Sequence, residues 1–106
     1  MENTNQLNEK WLYVMLIERG KSYKKVNKAM ITKHVDHLRN LDDNGKLALC
    51  GPTIGYPGIA GMVILKAQSI EEAEEICKSE PLVVGGYATY KLFSLLEANR
   101  ENGYLL

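Results

Sequence analysis

Residues His34–Pro52 read HVDHLRNLDDNGKLALCGP. The stretch joins the end of an amphipathic helix, a glycine-bearing turn and a strand that stops at a Gly51-Pro52 corner. Ile31, Val35, Leu38 and Leu41 recur at helical spacing, so they mark one buried stripe. At helical pitch His34 falls among those apolar residues, whereas His37 sits at the stripe's edge. A titratable ring on an apolar face marks a candidate site.

Upstream, Trp11–Ile17 (WLYVMLI) is an apolar run rich in branched and aromatic residues, and its sharp stop predicts a strand. Gly20–Tyr23 is a loop, and the helix runs from about Lys24 or Val26 to Asp43, with Gly45 supplying its left-handed cap. Downstream, Lys46–Cys50 is a short second strand, TIGYPG (Thr53–Gly58) a turn-rich connection, and Ala60–Lys66 a third strand. Ser69 with Glu72 fits a capping box opening a second helix, whose stripe is Ile70, Ala73, Ile76 and Cys77. Pro81 ends that helix and leaves Glu80 at its exit. Leu82–Gly86 is an apolar turn and Ala88–Leu96 a fourth strand.

The order β-α-β-β-α-β predicts an α+β, ferredoxin-like domain over residues 10–96, an antiparallel four-stranded sheet with two helices on one face. Residues 1–9 are expected as a disordered N-terminal tail and 97–106 as a C-terminal tail. Strands 1 and 3 are apolar at consecutive positions, so both sheet faces want cover. Two helices cover one face, and a second sheet would cover the other in a face-to-face homodimer. Cover by the tail or by loops is the alternative.

A chain of 106 residues fits one domain, and its 45% hydrophobic and 25% charged composition is that of a soluble globular protein. Thirteen basic and thirteen acidic residues cancel, which speaks against a nucleic-acid partner. The basic cluster Lys21–Lys28 reads as a solvated loop or first helical turn. Cys50 and Cys77 match neither a zinc nor a CxxC spacing and are expected as buried thiols in a reducing cytoplasm. The polar start MENTNQLNEK has no signal-peptide core, and no run is long enough to span a membrane.

An imidazole exchanges protons near neutral pH, so His34 suits general acid–base work; a core histidine bonded to a carbonyl is the bland alternative. His37 reads as structural or surface. Metal binding by His34, His37 and Asp36 is disfavoured, because their offsets do not share one helix face and no zinc motif is present. Glu80 could orient His34, since a carboxylate beside an imidazole fixes its tautomer, or could be a solvated helix-end acid. Asp36, two positions from His34, is a weaker partner. Gly51-Pro52 could shape a pocket wall or simply turn the chain. TIGYPG matches no phosphate-binding loop.

The spacing from His34 to Gly45, the following Lys46-Leu47 and the closing Gly51-Pro52 resemble the YciI-like (YCII-related) family. MVILKAQSIEEAEEICKSEPLVVGG (Met62–Gly86) is similar to that family's strand, Ser-led helix, Asp-Pro and apolar-Gly segment, and Leu12-Tyr13-Val14 to its first strand. The resemblance covers about Trp11 to Phe93 and implies a dimeric α+β barrel akin to muconolactone isomerases, with a His/Asp-centred site in a cleft. It assigns His34 to the family histidine and Glu80 to the aspartate before proline, and places Tyr13 in the pocket. An arginine common three residues before the histidine is Ile31 here, leaving Lys28 or Lys33 as substitutes. The implied activity is cofactor-free acid–base chemistry, isomerase or dehydrohalogenase-like, on a small organic molecule. The alternative is a non-catalytic ligand-binding or regulatory dimer.

Overall fold

Period-two alternation along β1 (Trp11–Arg19) explains how the sheet divides its faces. Tyr13, Met15 and Ile17 are buried with Val63, Leu65, Ala73, Cys77 and Leu82 in the core beneath the helices. Leu12, Val14 and Leu16 point the other way. The computed structural model describes residues 10–106, so the tail expected over residues 1–9 lies outside the described residues.

The remaining strands are β2 (Leu47–Pro52), β3 (Ile59–Leu65) and β4 (Ala88–Leu96). They form one four-stranded sheet in the order β2-β3-β1-β4, every neighbouring pair antiparallel. Helices α1 (Lys28–Asp43) and α2 (Ile70–Lys78) complete the predicted β-α-β-β-α-β order, and a one-turn α3 (Pro81–Val84) replaces the expected apolar turn. This is the α+β, ferredoxin-like plan.

Differences from the sequence-based expectation sit at element ends. β1 runs on to Arg19, where Arg19 N donates to Gly58 O at 2.8 Å. A 3₁₀ turn takes up Tyr23–Lys25, Val26 is extended, and α1 starts only at Lys28, where Asn27 accepts from the Met30 amide. Gly45, at φ 72°, supplies the expected left-handed cap, and Lys46 N returns to Leu41 O at 2.8 Å. The Ser69 hydroxyl accepts from Glu72 N at 3.1 Å, while Glu72 reaches back to Gln68 N. β2 does not stop before Gly51-Pro52: it continues through them, because an edge strand tolerates proline and Pro52 pairs with Gly61.

α1 has no fully buried residue. Met30, Leu38 and Leu41 pack against the core, while Ile31, His34 and Val35 face a gap above the sheet, and that gap is where the site lies. Among the described residues, no helix is long and apolar enough to cross a membrane.

Candidate functional site

Between α1 and the strands β1, β2 and β3 opens a cavity of about 380 Å³. The helix contributes Ile31, His34, Val35 and Leu38 to its wall, so the stripe read from the sequence lines space as much as it packs core. The opposite wall includes Ile17, Cys50, Pro52, Gly61 and Val63. Gly61 stands opposite Ile17 and Pro52 in the sheet, and a Cβ added there would lie 3.0 Å from the Gly51 carbonyl oxygen. Glycine therefore allows the strands to approach closely and leaves the wall low beneath His34's helix.

His34 Nδ1 and Glu80 Oε1 are in direct hydrogen-bond contact across 46 residues of sequence. Glu80 is 1% exposed. The proline after it favours an extended backbone, and Glu80 sits at φ −62°, ψ 124°. In that conformation it caps α3, and its second oxygen accepts from Leu82 N at 2.5 Å. Both carboxylate oxygens are thus occupied, and Glu80 is a buried acid with partners, not a solvated helix-end acid. A carboxylate at Nδ1 holds the proton on that nitrogen and leaves Nε2 as the free ring nitrogen of a cavity-lining residue.

Gly51 and Pro52 line the cavity. Tyr13 does not. It pairs with Leu65 and Ser94 toward the other end of β1 and is buried in the core, so its place in the pocket is corrected. Cys77 is buried, and burial followed by the charges of Glu74 and Glu80 pushes its thiol up to about 12. Cys50 is exposed, contrary to expectation, because β2 is the edge strand. Neither Lys28 nor Lys33, the substitutes considered for a cation at Ile31, lines the cavity. Asp36 pairs with Arg39 at 3.5 Å on the outer surface, away from His34.

Sequence reasoning missed Tyr23 and Leu82, which also line the cavity. Tyr23 is the lone aromatic in the basic KSYKK run, held with the Arg19 guanidinium 5.4 Å from its ring centre. That isolated aromatic among lysines was the available signal. Leu82 had none, since its place follows from the α3 turn.

The YCII-related domain model matches residues 11–95. The uncharacterized protein YjpA of Bacillus subtilis (strain 168) is 33% identical over 76 residues, covering 72% of this chain and 84% of that protein. Among solved structures, 5-chloro-2-hydroxyhydroquinone dehydrochlorinase (TftG) from Burkholderia phenoliruptrix AC1100, in complex with 2,5-dihydroxybenzoquinone, is similar in fold. It superposes with a TM-score of 0.68 at 16% identity, covering 85% of this chain and 97% of that one, and carries the dimeric α+β barrel fold. By its domain match over nearly the whole described chain, this protein belongs to the YCII-related family.

Proposed function

We propose that this chain is a small enzyme whose His34–Glu80 pair performs acid–base chemistry on a small organic molecule held in the cavity. The observation that carries the reading is the contact between a cavity-lining imidazole and a carboxylate 1% exposed behind it. Nε2 of His34 takes a proton from a carbon next to a carbonyl and returns it to another atom of the same molecule, which is isomerisation. When the neighbouring carbon carries chloride, loss of the proton and of chloride gives an elimination. The fold likeness to a dehydrochlorinase makes the second outcome a candidate here. Glu80 keeps the proton on Nδ1 and balances the imidazolium that forms. The reaction needs no metal or organic cofactor.

The enzyme acts as a homodimer in this reading. On the sheet face away from the helices, Val14 stands in register with Ile64 and Phe93, Leu12 with Leu95, and Ile64 with Leu49. Leu49 is 64% and Phe93 47% exposed, and such an apolar face is suited to a second sheet.

Deuterium uptake by 2-tetralone in heavy water, and chloride release from chlorinated hydroquinones, test the chemistry, with light scattering reporting the assembly. His34→Ala should cut either turnover by roughly 100-fold or more while leaving a folded dimer. Activity per folded molecule that survives the substitution would make His34 structural. Ligand binding with no chemical change in any probe would favour a sensor.

A further inference from the structure

We infer that the cavity selects an uncharged, ring-sized ligand and that Ile31 sets this selectivity; the inference rests on the cavity being the substrate site. All thirteen lysine and arginine residues lie among the described residues, and none lines the cavity. Arg19, beside the wall residue Tyr23, is engaged: it covers the Tyr23 ring and donates from Nη1 to Ile59 O at 3.0 Å. Lys46 is bound to Glu72 at 2.7 Å. The polar wall side chains are those of Tyr23, His34 and Cys50. A protonated His34 is matched by Glu80, so the pair offers no net positive charge to an anion.

A carboxylate entering this space would exchange water for apolar side chains with no cation to receive it, and Glu80 stands behind the imidazole as a like charge. A neutral ring meets no such opposition, and about 380 Å³ accommodates one or two fused rings. Ile31 is 41% exposed on the cavity wall. A long cation at that position would keep its head in water while its stem lies along the wall.

2-Naphthol and 2-naphthoate share a ring system and differ in charge at about pH 7.5, with the naphthol neutral. Each is titrated into ¹⁵N-labelled full-length wild type, Ile31→Lys and His34→Gln, following the Gly51 and Gly61 amides. In the wild type the naphthol should bind at least about tenfold tighter. The preference should persist in His34→Gln, and Ile31→Lys should shrink it about tenfold or reverse it. Equal or tighter naphthoate binding, an unchanged preference in Ile31→Lys, or amides that neither probe moves would overturn the inference. Selectivity without any proton exchange by the wild type would sink the catalytic reading and leave this one standing.

Discussion

His34 and His37 lie one turn apart on the same helix, and the structure uses them differently. His34 lines the cavity and meets Glu80 through Nδ1. His37 is half-buried in the groove between α1 and α2, beside Asn40, Glu72, Glu75 and Ser79. Burial holds its imidazole below the usual range; the charge of Glu80 opposes that shift and His34 adds to it. Two rings of one chemistry on one helix are separated by what a distant corner delivers. The extended backbone before Pro81 brings a carboxylate to one ring and only its field to the other.

The sharpest way to break this contrast is to compare His34→Ala with His37→Ala in the same proton-exchange assay. The first should lose roughly 100-fold or more, as for removal of a general base, and the second should stay within about threefold. Equal losses would mean that the two rings act together. Next in size is the corner itself. Glu80→Ala strands the buried Leu82 amide and the Nδ1 proton, which should cost about 3 kcal/mol in urea unfolding. Asp36→Ala, in an exposed pair with Arg39, should cost no more than about 0.5 kcal/mol. If both variants unfold at the same midpoint, the buried contact does not hold the corner.

How much of this was readable beforehand depends on the distance between causes. The helical stripe Ile31, Val35 and Leu38, the Gly45 cap and the Ser69–Glu72 box are set by neighbours within a few residues, and each appeared where the spacing placed it. The meeting of His34 with Glu80 spans 46 residues, and no local spacing encodes it; the chemistry of a carboxylate beside an imidazole offered the pair with a solvated acid as the alternative, and the family resemblance favoured the pair. Cys50 and Tyr13 show the same limit from the other side. An apolar run makes a thiol look buried, yet exposure depends on whether the strand is an edge. Tyr13 shares its face with Ile17, but only the position of α1 decides which end of that face borders a cavity.

The smallest expected effect concerns the second ring. A lowered imidazole pKa in the folded chain means that the unfolded chain takes up the proton first as pH falls. The contribution of His37 to stability is therefore fully present above 6.5, the ordinary value, and is lost as pH drops below it toward the lowered folded value. Glu72 shares the groove, but its carboxyl is held below 4.5 chiefly by Lys46, so its own loss of stability begins at lower pH. Between about pH 7.5 and 5.5, the wild type should lose a few degrees more of melting temperature than His37→Gln. A wild-type curve no steeper than the variant's would show that His37 takes up its proton as readily folded as unfolded. The groove would then be wet at that ring, and the difference between the two histidines would rest on the Glu80 contact alone.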